Sequence, residues 1–134
     1  MEFHVDTASR LPIYRQLARQ IREAIARGGV QPDDRLPSVR DLSRTLVVNP
    51  NTIARVYTEL EREGLLNTRP GLGVFVARPR AELSRKARKE RLEERTDQYL
   101  TEAVHLGAAA EEVVGLVTQR AGQFQWQSGN HPSR

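Results

Sequence analysis

The chain of 134 residues contains no cysteine, so disulfide bonds and thiolate chemistry are excluded. It also lacks an apolar run near the length of a membrane span, and no secretory signal pattern is present. A cysteine-free chain suits a reducing compartment. We therefore expect a cytoplasmic protein with no membrane partner.

Motifs of enzyme chemistry are also missing. The three histidines, His4, His105 and His131, form no His-x-x-x-His pair, and the carboxylates do not recur at a metal-ligand spacing. There is no nucleophile elbow and no P-loop, and Gly71-Leu72-Gly73 lacks the third glycine and the following helix of a dinucleotide site. We predict no catalytic residue, no metal site and no cofactor, and we interpret the histidines as structural or surface residues.

The length of the chain is near that of one ordinary domain, which allows one modest core and an appendage but no separate large effector domain. Its formal net charge of +4 is unevenly distributed. Residues 1–80 contain thirteen Lys/Arg against nine Asp/Glu, whereas residues 81–134 contain eight of each. This bias favours a polyanionic partner for the first part of the chain.

A capped helix is predicted from Ser38. Asp41 follows three residues later, and this S-x-x-D box satisfies the free amides of a helix start. The helix should end near Leu46, because Val47 and Val48 are β-branched and a second start signal follows them.

That second signal is Asn49-Pro50, in which asparagine is a strong N-cap and proline is preorganised for the first helical position. Apolar residues then recur at helical spacing until Gly64, which supplies the stop. The opposite face at the helix start offers Asn51, Thr52 and Arg55. This is the end that a recognition helix places in the major groove of DNA.

A change of period after Gly64 predicts a β-hairpin. The polar run Asn67-Thr68-Arg69 precedes Pro70-Gly71-Leu72-Gly73, and Val74-Phe75-Val76 is typical of a short strand. The two strands and their turn form a wing. Arg69 and Gly71 are expected at its tip, where the chain could approach a phosphate or enter the minor groove.

Residues 12–77 resemble the DNA-binding domain of the GntR family of bacterial transcription regulators. The resemblance rests on five blocks, Pro12–Leu17, Leu36–Leu42, Asn49–Arg55, Leu60–Leu65 and Gly71–Val76. It implies a winged helix-turn-helix in which the DNA contacts come from Arg40, Asn49, Asn51, Thr52 and Arg55, with Gly71 at the wing tip. One loop departs from the family, because the usual Pro-Gly-rich stretch before Leu36 is here Gln31-Pro32-Asp33-Asp34-Arg35. With the neighbouring positions, the predicted DNA-binding residues are Ser38, Arg40, Asn49, Pro50, Asn51, Thr52, Arg55, Arg69 and Gly71.

An N-terminal helix completes this domain. Pro12 opens it, and Ile13, Leu17, Ile21 and Ile25 recur every four residues until Gly28-Gly29. The other face of the helix is arginine-rich. We interpret these arginines as a solvated surface, with direct phosphate contact as the alternative; they are Arg15, Arg19, Arg22 and Arg27, and the same applies to Arg35, Arg62 and Arg80.

Residues 81–106 lack glycine and proline and predict one long helix closed by Gly107, and a shorter helix follows at 109–121. Two helices cannot bury all the apolar side chains of this hairpin between themselves, and we expect Val113, Val114, Leu116 and Val117 to be exposed. A second copy of the chain would cover them. The predicted dimerisation residues are Leu92, Tyr99, Leu100, Ala103, Val104, Leu106, Val113, Val114 and Val117. Gly115 marks either close helix approach or tolerated slack.

The short tail is similar to that of the YtrA-like subfamily of GntR regulators, in which two helices dimerise and no large ligand-binding domain exists. Residues 122–134 are polar, and we expect a disordered segment there. Trp126 either anchors this segment on the dimer, which we favour, or binds a partner.

The predicted fold is mainly α with a small β-hairpin, consisting of a winged helix-turn-helix domain (1–78), a helical dimerisation region (79–121) and a disordered tail (122–134). The predicted function is a non-enzymatic, sequence-specific transcriptional regulator. We expect a repressor that binds an inverted-repeat operator in double-stranded DNA as a homodimer; no small-molecule effector is identified. The alternative is a winged-helix protein-interaction module without specific DNA binding.

Overall fold

A computed structural model describes residues 2–78 and 85–126 and divides the chain into two units, Met1–Pro79 and Arg80–Arg134. The first unit contains helices α1 (Ile13–Ala26), α2 (Val39–Leu46) and α3 (Pro50–Arg62) and strands β1 (Leu66–Arg69) and β2 (Gly73–Val76). The second contains helices α4 (Arg85–His105) and α5 (Ala110–Ala121). The predicted mainly α fold with one β-hairpin is confirmed.

Both predicted caps are present at the starts of α2 and α3. The Ser38 hydroxyl accepts a hydrogen bond from the backbone amide of Asp41 at 3.0 Å, and the side-chain oxygen of Asn49 accepts one from the amide of Asn51 at 2.8 Å. These bonds satisfy amides that have no partner within their helix. They therefore fix where each helix begins.

The core of the first unit lies between α3 and the two helices packed against it, α1 and α2. Apolar side chains at helical spacing on each helix point inward, and the ends of the two strands close one side. The largest fully buried side chains are Leu17, Ile21, Leu36, Ile53, Val56, Leu60, Leu66 and Val76.

The β-hairpin forms the predicted wing. Strands β1 and β2 pair antiparallel, with Leu66 opposite Val76 and Arg69 opposite Gly73. The amide of Leu72 donates a hydrogen bond to the carbonyl of Arg69 at 2.9 Å, and Gly71 has φ of +77°. Proline followed by a residue with positive φ defines a type II turn, which explains why Gly71 follows Pro70.

The loop before α2 lies along the free edge of β2, which the sequence did not predict. The amide of Asp33 donates to the carbonyl of Val76 at 2.8 Å, and the amide of Leu36 donates to the carbonyl of Val74 at 2.9 Å. Asp33 has φ of +72°, a left-handed conformation that glycine adopts without strain. This is the loop whose sequence departs from the family pattern.

A buried glutamine ties the N-terminal segment to α1. The Gln16 side-chain amide donates to the carbonyls of Asp6 and Leu11 at 2.9 and 2.7 Å, and its oxygen accepts from the amide of Asp6 at 2.8 Å. The segment also places Phe3 in the core. A polar residue on an apolar helix face is stable here because each of its polar groups is paired.

The second unit is a helical hairpin with a small internal contact. Ala103 and Val113 are buried. Helix α4 ends at His105, and Gly107 in the turn that follows has φ of +82°. The prediction that Val113 is exposed is therefore wrong, because its side chain faces inward within this unit. The remaining large apolar side chains of the two helices and of the turn between them are exposed, namely Leu92, Tyr99, Leu100, Val104, Leu106, Val114, Leu116 and Val117.

Two predictions for the second unit extend beyond the described residues. The first four residues of the predicted long helix, 81–84, and the end of the predicted tail, 127–134, lie outside them. The chain turns at residues 122–123 after α5, and the indole of Trp126 donates a hydrogen bond to the carbonyl of Ala121 at 2.8 Å. Of the helices in residues 2–78 and 85–126, none is both long and apolar enough to span a bilayer.

Candidate nucleic-acid interface

The start of α3 presents polar side chains to solvent. Asn51 and Arg55 are exposed, and Thr52 is half-buried. They share one side of the helix because residues four apart lie one turn above each other. The opposite side carries Ile53, Val56 and Leu60 into the core, so this orientation of α3 is fixed by packing.

Arg55 is held against the first helix by an aromatic side chain. Its guanidinium carbon lies 4.0 Å from the ring centre of Tyr14, and its Nε lies 3.6 Å from a carboxylate oxygen of Glu59. A cation over an aromatic face is attracted by the ring quadrupole. In the sequence analysis Tyr14 appeared only as part of the block Pro12–Leu17. Its contact with Arg55 was not predicted, because the two residues are far apart in the chain.

The start of α2 is anchored to α3 by a buried phenol. The hydroxyl of Tyr57 donates a hydrogen bond to the carbonyl of Pro37 at 2.7 Å, and burial raises the pKa of this hydroxyl above its ordinary value of 10.0. The bond holds the residue immediately before Ser38. Tyr57 of α3 therefore holds the chain at the start of α2 in place.

Two arginines project from α2 without internal partners. Arg40 and Arg44 are exposed and four residues apart, and within the part of the chain that the structure describes neither has a hydrogen-bond or ion-pair partner. Arg40 was predicted as a DNA contact, whereas Arg44 was missed. The helical spacing from Arg40 was the signal that could have identified it.

The wing arginine is already paired. Arg69 Nη2 lies 2.6 Å from Asp33 Oδ1, and the guanidinium carbon lies 4.2 Å from the ring centre of Phe75. Arg78 binds the other oxygen of the same carboxylate at 2.7 Å. Hydrogen bonds from Arg78 and Arg69 lower the pKa of Asp33. Gly71, in contrast, is exposed at the turn.

Two arginines of α1 and the arginine at its C-cap bind carboxylates, whereas Arg15 of α1 has no hydrogen-bond or ion-pair partner in the described residues. Arg19 and Arg27 pair with Glu23, and Arg22 makes a two-pronged contact with Glu63 at the end of α3. Within residues 2–78 and 85–126, no group of three His, Asp or Glu side chains is arranged to hold a metal ion. Arg40 and Arg44 of α2, next to the start of α3, keep their donors free, and among the described residues the same is true of Arg15 on α1 and Arg62 at the end of α3.

The predicted DNA-binding residues thus fall into three places. Ser38 and Arg40 lie at the start of α2; Asn49, Pro50, Asn51, Thr52 and Arg55 lie along the first turns of α3; and Arg69 and Gly71 lie in the wing. In two of them a side-chain oxygen already accepts a hydrogen bond, because Ser38 Oγ and Asn49 Oδ1 cap their helices. Asn51 has its side chain free for an external contact within the described residues.

The second unit offers a different kind of surface. A shallow, mainly apolar groove between α4 and the end of α5 is lined by Tyr99, Leu116, Val117, Arg120, Ala121, Phe124 and Trp126. The rings of Phe124 and Trp126 pack with centres 6.4 Å apart. This places Trp126 against its own hairpin.

Known proteins share this architecture. The profile of the gntR family, described as bacterial regulatory proteins, matches residues 13–76. The HTH-type transcriptional repressor YtrA of Bacillus subtilis is 33% identical over 109 residues, covering 81% of this chain and 84% of the relative.

Solved structures extend the similarity to both units. A crystal structure described as a transcriptional antiterminator from Listeria monocytogenes is 30% identical, has a TM-score of 0.75 and covers 90% of each chain. YtrA from Sulfolobus acidocaldarius, a GntR-family transcription factor, is 33% identical with a TM-score of 0.59, covering 75% of this chain and 97% of that one. None of these relatives is described as an enzyme.

Proposed function

Because the chain belongs to the GntR family of bacterial regulatory proteins, we propose that it is a homodimeric repressor that binds a specific double-stranded DNA operator. The repressor assignment is supported by the similarity to YtrA. The place of action is then the cytoplasm, where the DNA is. Residues 1–78 form the DNA-binding domain and residues 79–121 the dimerisation region of this proposal.

The start of α3 is the single observation that carries the proposal. Its cap fixes the first turn, its apolar side is committed to the core, and Asn51 and Arg55 extend from the exposed side. Asparagine pairs with the edge of adenine and arginine with the edge of guanine in the major groove. Two such side chains one turn apart can read neighbouring base pairs.

The start of α2 supplies a second, sequence-independent contact. Arg40 lies in its first turn, where free amides and a guanidinium together can bind a phosphate. Arg44 lies one turn further along, and both have donors available within the described residues. Such contacts orient a protein on the duplex without reading bases. The wing turn at Gly71 is the third place where the backbone can approach DNA.

The proposed dimerisation is supported by the exposed apolar side chains of the second unit. Leu100, Val104 and Val117 are among the seven large apolar residues left exposed on the described parts of α4 and α5. A twofold dimer would bury them against the same surface of a second copy. It would also present two recognition helices about 34–36 Å apart, which predicts an inverted-repeat operator with half-sites one helical turn apart, or a multiple of it.

Selection of bound sequences from a random duplex pool tests the proposal. The intact chain should enrich an inverted repeat, and N51A should lose discrimination of about 1–3 kcal/mol at defined base pairs in each half-site. T58A is the matched control, because Thr58 is an exposed polar residue of α3 about 10 Å further along the helix. It should enrich the same sequence as the unaltered chain.

Salt dependence separates the proposal from a protein-interaction module. Binding to duplex DNA through several phosphates should weaken steeply as the salt concentration rises. No enrichment, together with no salt-sensitive duplex binding, would contradict DNA recognition. Equal losses of N51A on operator and random DNA would contradict base readout by Asn51.

A further inference from the structure

Asp33 binds two arginines that belong to the wing and its exit. One carboxylate oxygen accepts a hydrogen bond from Arg69 Nη2 at 2.6 Å, and the other accepts from Arg78 Nε and Nη2 at 3.0 and 2.7 Å. A single negative charge is thus shared by two positive ones. Asp33 lies 36 residues before the first partner and 45 before the second.

The backbone holds Asp33 at this position at a conformational cost. Its amide is bonded to the carbonyl of Val76, and the next residue, Asp34, accepts a hydrogen bond from the amide of Val76 at 2.9 Å. Its φ of +72° is a conformation in which an ordinary side chain is strained and glycine is not. Glycine would satisfy this backbone but has no carboxylate. The aspartate therefore adds an ion-pairing group where the backbone alone does not require one.

Both arginines are otherwise suited to bind phosphate. Arg78 is largely exposed, with 79% of its side chain accessible, and Arg69 lies beside the exposed wing turn. Arginine binds carboxylate and phosphate with the same forked donors. A phosphate approaching the wing must therefore compete with the Asp33 carboxylate for those donors.

We propose that Asp33 is an internal competitor of DNA phosphate for Arg69 and Arg78, and that it limits the sequence-independent affinity of the protein for DNA. The inference rests on the proposed DNA binding. Contacts of these arginines with phosphate carry no base information. With them restrained, a larger share of the binding free energy comes from the base contacts of α3.

The test measures binding of the full-length chain to a random-sequence duplex between about 50 and 200 mM salt. D33N keeps the shape of the side chain, tolerates positive φ and removes the charge. It should bind about three- to tenfold more tightly, and the slope of log K against log salt should steepen by about 0.9 for each arginine released. D33G should act in the same direction, since it removes the carboxylate and the backbone strain together.

D34N is the matched control. It makes the same change in net charge one residue away, but the Asp34 carboxylate accepts from the amide of Gln31 at 2.8 Å and binds no arginine in the described residues. Its salt slope should equal that of the unaltered chain. Without the two arginines, D33N should no longer increase the affinity. The triple variant D33N/R69Q/R78Q should therefore bind random duplex as tightly as R69Q/R78Q does.

Three results would overturn the proposal. The first is an equal slope of log K against log salt for D33N and D34N. The second is weaker duplex binding by both D33N and D33G than by the unaltered chain. The third is an increase in affinity from D33N that persists when Arg69 and Arg78 are replaced. Failure of the proposed function gives a different result, because the unaltered chain would then show no salt-sensitive binding to any duplex.

Discussion

At the scale of single residues, the turn between α2 and α3 contains a strained valine. Val47 has φ of +55° and ψ of +52°, and its side chain is 90% exposed. A β-branched residue in the left-handed region is unusual, because the side chain approaches its own carbonyl oxygen. Its exposed side chain makes no compensating contribution to the core. The strain therefore lowers the stability of the folded state, and no contact of the side chain offsets it.

V47G should stabilise the first unit. Glycine relieves the left-handed strain but has more conformational entropy in the unfolded chain. The net effect should raise the free energy of unfolding by roughly 0.5–1 kcal/mol and Tm by about 2–8 °C. Thermal unfolding monitored by circular dichroism measures the change. V47A is the control, because alanine retains the strain and loses only exposed methyl groups. A similar increase in Tm for V47A would attribute the effect to the apolar side chain and not to the backbone.

At the scale of elements, α1 is fastened to the end of α3 by an ion pair. The guanidinium of Arg22 binds both oxygens of the Glu63 carboxylate, at 2.9 and 2.6 Å. The hydrogen bond from Arg22 lowers the pKa of Glu63 below its ordinary value of 4.5. Because both side chains are about 40% exposed, solvent screening limits the contribution of the pair to the free energy of unfolding.

E63Q should lower the free energy of unfolding by about 0.5–1 kcal/mol at pH 7. A carboxylate whose pKa is lower in the folded state stabilises the protein above its unfolded pKa, and this contribution is lost as the pH falls through the folded pKa. The difference between E63Q and the unaltered chain should therefore persist down to about pH 4.5 and then vanish below it.

Urea unfolding at a series of pH values measures this difference. R22Q supplies the second arm of a double-mutant cycle, and the double variant should lose little more stability than either single variant. Additive losses, or a difference that remains constant into strong acid, would show that the pair does not act as a unit.

At the scale of the whole molecule, each unit has its own proposed function, which is DNA binding for the first unit and dimerisation for the second. The first has a closed core, whereas the second leaves most of its large apolar side chains exposed. Monomeric proteins rarely expose contiguous apolar surface of this kind without a partner. Gly115 lies on α5, and an added Cβ there would meet no atom of the described residues within 4 Å, so no contact among those residues requires this glycine.

V117E should convert the proposed dimer to a monomer. A charge in the apolar interface would lose its solvation, so the self-association that links two DNA-binding domains should fail. Operator affinity should fall by about 100-fold or more, whereas affinity for a half-site should be unchanged. Sedimentation equilibrium at micromolar concentration measures the oligomeric state.

T118E is the control for V117E, because it adds the same charge at the next, polar position of α5. It should remain a dimer if Val117 lies in the interface and Thr118 does not. An unaltered chain that sediments as a monomer, with equal affinity for operator and half-site, would contradict the assignment of the second unit to dimerisation.

The sequence by itself determined the features that depend on near neighbours. Ser38 and Asn49 cap their helices by bonding amides two or three residues away, and Pro70-Gly71 sets the wing turn within four residues. Helical spacing similarly identified the buried sides of α1 and α3. Together these local signals were enough for the fold and for the family resemblance.

Only the tertiary structure decided the contacts between distant residues. Asp33 meets Arg69 and Arg78, and Tyr14 meets Arg55, through chain folding that no local period encodes. The same holds for Val113, whose side chain was predicted from the sequence to be exposed and is buried in the structure. Periodicity gives the direction of a side chain within its element, but the partner across the fold depends on how the elements pack.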